Sequence, residues 1–260
     1  MDFTKKGAVK AQKELVSKLP RNRRKLNISV FKIILVLVLA IVIVGVGAGF
    51  GALKGILDDT PNINADALIP KGYKTTLVYQ NGKEITTLAN SNSNREYVYY
   101  DSIPEDLVNA FVAIEDRRFW EHNGIDVQGI ARAFIKGLKS GDFDEGASTL
   151  TQQLIKNNVF NVGLNESTFL DKLERKVQEQ YLAVDMEKKI DKKSIVEYYL
   201  NTIYLGEGCY GVETAAKTYF GKELSQLSVS ECAVLAAIPQ NPTKYDPLLS
   251  PDDNKSRRTQ

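Results

Sequence analysis

The sequence predicts a mainly α-helical body, preceded by one transmembrane helix and a short β-hairpin region. Three observations carry that class. A charge-free apolar run of 21 residues follows a basic arm, a β-prone stretch is split by an Asn-Gly pair, and from Pro104 onward apolar residues recur at helical spacing.

The arm is residues 1–32. It holds ten Lys/Arg against Asp2 and Glu14, a local excess of +8 in a chain whose formal net charge is only +2. The rest therefore carries an acidic excess, which argues against a nucleic-acid-binding body. The run "IILVLVLAIVIVGVGAGFGAL", residues 33–53, matches the ~20 helical residues that a bilayer core requires. Few Lys/Arg follow it closely. The charge asymmetry predicts a single-pass anchor in the cell membrane, with a cytoplasmic N-terminus and an extracytoplasmic body. A cleaved signal peptide is the rival, but its apolar core usually spans only about 7–15 residues.

Residues 54–95 read as an extracytoplasmic linker. "TTLVYQNGKEITTL" (Thr75–Leu88) within it suits a β-hairpin turning at Asn81-Gly82. In the body, 96–260, Val127–Leu138 repeats apolar residues at 127, 130, 131, 134, 135 and 138, with Asp126 as N-cap. Ser148 is placed to cap a helix running to Val159. Leu170–Met186 carries Leu170, Leu173, Val177, Tyr181 and Val184 on one stripe. Ile195–Leu205 and Val212–Phe220 follow, and Ser228 caps a helix that Pro239 closes. Ser250-Pro251 with acids behind it starts one more helix, and its brevity suggests that a longer protein continues past Gln260.

Two cysteines, Cys209 and Cys232, sit in apolar, helix-like context and read as buried free thiols. With one His in the chain, zinc chemistry finds no ligand set. "GEGCYG" (Gly206–Gly211) matches a dinucleotide fingerprint in letters only. A helical pattern precedes it where a strand is needed, so the glycines read as a tight turn between helices.

Four stretches hold side chains suited to chemistry. In "IEDRRFWEHNGID", Glu115, Phe119, His122 and Asp126 would share a helix face, with Glu115 against the apolar "AFVAI". Burial would raise its pKa toward a general base's range. A solvated charged helix, or a helix end followed by a turn and a new N-cap, accounts for the same letters. In "EGASTLTQQLIKN", Thr149, Gln153 and Lys156 align along one side, suited to sugar hydroxyls and phosphate oxygens. An amphipathic helix with an uncharged polar side is the alternative. Arg175 and Glu179, one turn apart, read as a helix-stabilising pair or as part of an anionic-group clamp with Lys176. Glu197 pairs with Ser194 as a capping box.

Together these stretches, with "RKVQEQYLAVDMEK", "IVEYYLNTIYLGEGCYGVETAAKTYFGK" and "LSVSECAVLAAIPQNPTKYDP", resemble glycosyltransferase family 51. These are the peptidoglycan glycosyltransferase domains of class A penicillin-binding proteins and the monofunctional transglycosylases. The likeness runs from about Tyr97 to Pro247 in family order. It implies a lysozyme-like fold with a membrane-proximal jaw formed after the first motif. The implied reaction is polymerisation of lipid II into β-1,4-linked glycan strands, with inversion and release of undecaprenyl pyrophosphate. By the same resemblance Glu115 matches the general base and Glu179 the second catalytic carboxylate. Matching substrate-binding positions are Asp116, Phe119, His122, Ser148, Thr149, Gln153, Lys156, Asn157, Arg175, Lys176 and Glu197.

The resemblance implies lipid II, the growing glycan strand and the membrane as partners, with cell-wall synthesis and division proteins beside them and no nucleic acid. No cofactor is required by the sequence, although some relatives place Mg or Mn at the pyrophosphate. "GAS" stands where many relatives have two glycines. No Ser-x-x-Lys box with companion motifs occurs, so a transpeptidase would have to follow Gln260. A lysozyme-like glycan hydrolase or lytic enzyme, and a non-catalytic bitopic division scaffold, are the competing functions. The cationic second and third motifs favour a phosphate-bearing donor over either.

Overall fold

The computed structural model of the chain describes residues 4–88, 94–140, 146–160 and 168–259, with the side chains of 16–29, 84 and 140 outside that set. The chain divides into two units, Met1–Asp59 and Thr60–Gln260.

The first unit is one continuous helix, α1 (Lys5–Asp58), opened by the Thr4 hydroxyl, which accepts from the Gly7 N–H. Its stretch Val30–Asp58 is long and apolar enough to cross a membrane, and its large apolar side chains between Val30 and Phe50 are exposed. Of the basic arm, the side chains of Lys18, Arg21, Arg23, Arg24 and Lys25 lie outside the described residues.

The second unit begins with a short turn of 3-10 helix (Ala65–Leu68) and then the hairpin β1 (Thr75–Val78) and β2 (Glu84–Leu88). Gly82 at φ 79° and the Asn81 side chain, which accepts from Lys83 N–H at 3.0 Å, close its turn as the Asn-Gly pair predicts. From there the unit is helical: α2 (Glu105–Glu115), α3 (Val127–Ser140), α4 (Leu150–Asn158), α5 (Phe169–Met186), α6 (Lys192–Thr202), α7 (Val212–Phe220), α8 (Val229–Ala237) and α9 (Pro251–Arg258). The mainly α class is therefore observed.

The core lies where α2 packs on α8, and α4 on α5 and α6. Leu107 and Phe111 of α2, Leu154 and Ile155 of α4, Tyr199 of α6 and Leu235 of α8 are fully buried there. Phe111 meets Tyr199 edge-on at 6.3 Å between ring centroids. Both cysteines are buried and free.

Several local expectations are corrected. The α5 stripe is not the packed face: Leu170 is 71% exposed and Leu173 and Tyr181 also face outward, whereas Gln178, Glu179, Leu182, Ala183 and Met186 are buried. Likewise Val127, Phe134, Ile135 and Leu138 of α3 are exposed. Periodicity identifies an apolar stripe but not what covers it. Residues 141–145 and 161–167, which belong to the expected jaw, lie outside the described residues.

The predicted shared face of Glu115, Phe119, His122 and Asp126 does not form. The helix ends at Glu115, and Asp116 leaves helical geometry at φ −154°. Two boundaries also move. Thr149, not Ser148, caps α4, in a reciprocal capping box with Gln152. α6 starts three residues early because Asp191 accepts from Ser194 N–H at 2.9 Å, which removes the Ser194–Glu197 capping box. The glycine turn is as expected: it follows α6 and holds only the isolated bridge between Tyr204 and Tyr210.

Gly124, in the loop after α2, lies hard against α5. It has φ 87°, and a Cβ there would lie 2.6 Å from the backbone C and O of Ala183. We expect Gly124→Ala to cost ~2–4 kcal/mol, from left-handed strain and overpacking together. Gly208→Ala, with φ 70° and nothing within 4 Å, should cost only the strain of ~1–2 kcal/mol. Urea unfolding of the two variants measures the difference.

Candidate active site

Three elements meet at Glu115. It is the last residue of α2, so its position is set by the buried Leu107, Val108, Phe111 and Val112 on the same helix. Its side chain is only 9% exposed. Gln153 of α4 donates from Nε2 to Oε2 at 3.0 Å, and Arg257 of α9 approaches Oε1 with Nη2 at 3.5 Å. Gln153 is itself fixed, because its Oε1 accepts from the buried Tyr199 hydroxyl at 3.2 Å. Burial pushes the Glu115 carboxyl above the ordinary carboxylate range; Gln153 and Arg257 oppose that rise, and Asp116 adds to it. The result is a nearly dry carboxylate whose charged form is kept accessible by two donors.

This balance makes a prediction. Gln153→Leu removes a donor that favours the charged form, so Glu115 should titrate at higher pH than in the wild type. NMR titration of a labelled Glu115 carboxyl reads the shift directly; an unchanged midpoint would remove Gln153 from that role.

Asp116 and His122 sit beside Glu115 but serve the frame. His122 Nε2 lies 3.0 Å from both Asp116 oxygens, and Asp116 Oδ2 also accepts from the Leu150 N–H at 2.9 Å. One buried carboxylate thus orients the imidazole and satisfies the first free N–H of α4. Phe119 is fully buried beneath the ammonium of Lys192, 4.2 Å from its ring centroid. Asp126 takes Arg118 and the Gly129 N–H at the start of α3, as the expected cap does. Thr149 is spent on the fold: its hydroxyl donates to Gly124 O at 2.8 Å and accepts from Gln152 N–H.

The second carboxylate is linked to the start of α4. Glu179 has a side chain 1% exposed and is paired with both Arg175 and Lys176 of α5, the latter at 2.9 Å. Lys176 Nζ also donates to Ser148 Oγ at 2.6 Å. Arg175 is therefore not merely a surface partner of Glu179: the carboxylate is the buried member of a three-residue charged cluster. The helix α4 links the two carboxylates, with Ser148 next to its cap and Gln153 in its interior. Further along it, Lys156 is half-buried and Asn157 exposed, and neither side chain makes a hydrogen bond or ion pair among the described residues.

Glu197 lies apart from this line. One of its oxygens accepts from the Tyr97 hydroxyl and the other from the Tyr100 N–H at 2.7 Å, which anchors the segment before α2 to α6. Sequence reasoning missed Arg257 and Tyr199. Arg257 is 142 positions from Glu115 in the chain, and no local pattern announces that contact. Tyr199 follows Ile195 and Val196 at helical spacing and looks like core, which it is, except at its hydroxyl. Among the described residues no group of three or more His, Cys, Asp or Glu converges as a metal site.

Comparison with known proteins identifies the family of the chain. A family model described as Transglycosylase matches residues 81–260. Penicillin-binding protein 1F of Bacillus subtilis (strain 168) is 44% identical over 182 residues, covering 70% of this chain and 24% of that protein. Penicillin-binding protein 1A of Aquifex aeolicus (strain VF5) is 51% identical over 164 residues, covering 63% of this chain and 22% of the relative. A crystal structure of penicillin-binding protein 1A from Haemophilus influenzae aligns with a TM-score of 0.36 and 23% identity, over 73% of this chain and 17% of its own. The chain thus spans about a quarter of the length of the curated relatives it matches.

Proposed function

The chain belongs to the transglycosylase family, and from that premise we propose that it is a peptidoglycan glycosyltransferase that polymerises lipid II. The observation that carries this reading is the buried carboxyl of Glu115, held by Gln153 and Arg257 and joined through α4 to the Ser148–Lys176–Glu179 cluster.

In this reading Glu115 takes the proton of the acceptor GlcNAc 4-hydroxyl as that oxygen attacks C1 of the donor MurNAc. The bond from C1 to the pyrophosphate breaks, and the pyrophosphate leaves with the electron pair. Attack from the opposite face inverts the anomeric centre and gives the β-1,4 linkage. A carboxylate whose pKa burial raises is a stronger base than an ordinary one, which suits it to accept this proton. Arg175 and Lys176 stabilise the charge that builds on the leaving pyrophosphate, and Glu179 holds the two cations in place. Lys156 and Asn157, with no partner among the described residues, are suited to the donor's phosphate and sugar oxygens.

No step is assigned to a divalent cation. The oxygens of Glu179 are already taken by Arg175 and Lys176, so the residues present supply cations rather than metal ligands.

The apolar stretch of α1 suits a membrane anchor, with the body on the extracytoplasmic side by the charge asymmetry of its flanks. The exposed apolar faces of α3 and the start of α5 suit a jaw that meets the lipid tail of the substrate.

Incubation of the purified chain with labelled lipid II tests the reading: long glycan strands are expected. Release of soluble muropeptides from intact sacculi would instead support a hydrolase. Turnover of neither substrate would leave a scaffold.

A further inference from the structure

Resting on Glu115 as the base, we propose that Glu187, paired with Lys192, is a positioning residue for the transfer reaction: it fixes the rotation of α4 and so the aim of Gln153 at Glu115. Glu187 follows α5 directly, and its side chain is only 3% exposed. One oxygen accepts from the hydroxyl of Thr151 in α4, and the other pairs with Lys192 Nζ of α6 at 2.7 Å. Thr151 is itself fully buried.

The place of this contact on α4 gives it leverage. Thr151 and Gln153 are two positions apart, about 200° around the helix, so they project from nearly opposite sides. Glu187 therefore grips α4 from behind while Glu115 meets it in front. Asp116 and Gly124 hold the first residues of α4, and a contact on the far flank resists turning about the axis. A turn of ~10° moves a side-chain tip ~5–6 Å from the axis by ~1 Å. A misplacement of that size can cost ~10²-fold in rate.

Lys192 offsets the charge that burial would otherwise penalise. Its ammonium is cut off from solvent and lies 4.2 Å from the Phe119 ring centroid, so a carboxylate and an aromatic face share its charge. Phe119 in turn packs edge-on against His122 at 6.1 Å, and His122 meets Asp116. The pair thus supports both neighbours of the base: Gln153 through α4, and Asp116 through Phe119. A role in stability alone is the weaker fit, because a buried ion pair adds little over apolar packing of the same volume.

The test uses the full chain. Thr151→Val deletes the hydroxyl at nearly constant shape and leaves the Glu187–Lys192 pair in place, whereas Thr151→Ser keeps the hydroxyl. We expect Thr151→Val to slow single-turnover transfer from saturating lipid II by about 10–100-fold, with lipid II affinity unchanged. The Glu115 carboxyl, read by NMR, should titrate at higher pH, because a turned α4 withdraws the Gln153 donor from its charged form. Asp116, Arg257 and the Tyr199 hydroxyl also face Glu115, and none of them is altered. Thr151→Ser should restore both readouts. Where Thr151→Val does not fold, Glu187→Asp, one methylene shorter, is expected to move both in the same direction. A wild-type rate or a wild-type midpoint in the folded variant, whatever its melting temperature, overturns the proposal, as does a serine variant that fails to restore them. The titration needs no turnover: a shifted midpoint in a chain whose wild type makes no glycan would sink the catalytic reading alone.

Discussion

Glu115→Gln should abolish lipid II polymerisation while leaving lipid II binding largely intact. A general base contributes ~10²–10⁴ in rate, so single-turnover transfer should fall to that extent. Wild-type transfer in this variant would remove Glu115 from the base role. The same substitution should make the protein more stable at neutral pH. Burial raises the Glu115 pKa, so the folded state holds the proton more tightly than the unfolded chain. Stability therefore falls as pH rises from the ordinary carboxylate value through the raised one, and the ionised group disfavours folding above that window. A neutral amide escapes this term. A higher melting temperature at neutral pH, with the gap closing in acid, is the expected signature of a site that trades stability for chemistry.

Glu179→Gln should also cut transfer, by ~10²–10³, but with the opposite effect on stability. Here the carboxylate has paired cations on both oxygens, and removal leaves Arg175 and Lys176 without their buried partner. A loss of ~1–3 kcal/mol is expected, moderated because Lys176 is partly exposed. Thermal unfolding and single-turnover transfer on the two Glu→Gln variants distinguish the two roles. A Glu179→Gln protein of undiminished activity would show that Arg175 and Lys176 need no carboxylate to hold them.

The legible part of this molecule is that set by local chemistry. Asn81-Gly82 announces its turn, Ser228 and Glu231 announce the start of α8, and Val212–Phe220 is bounded by glycines that the chain needs at φ 78° and 66°. The illegible part depends on what lies opposite. The apolar residues of α3 and α5 look like core faces because a stripe has the same period whether protein or lipid covers it. Glu179 looks like a solvated pair partner because Arg175 and Lys176 precede it on the same helix; its burial comes from the packing of α5 on α4. The segment after Glu115 looks helical by spacing, yet Asp116 is drawn out of the helix to serve Leu150 and His122. Arg257 could not be read at all, since only the fold brings α9 to the end of α2. The candidate base itself was legible through its apolar approach and the motifs that accompany it.

The helix α4 spans only Leu150–Asn158, yet it presents Gln153 to one carboxylate and abuts, through Ser148, the cations that surround the other. It is locked at its first residue by Asp116 and at its cap by Gly124, so it cannot slide along its own axis without breaking both attachments. In the proposed mechanism it would serve as a fixed gauge between the proton acceptor and the leaving-group cradle. Each added glycan unit would be measured against the same short rod, and a uniform linkage would follow from its rigidity rather than from any separate proofreading step.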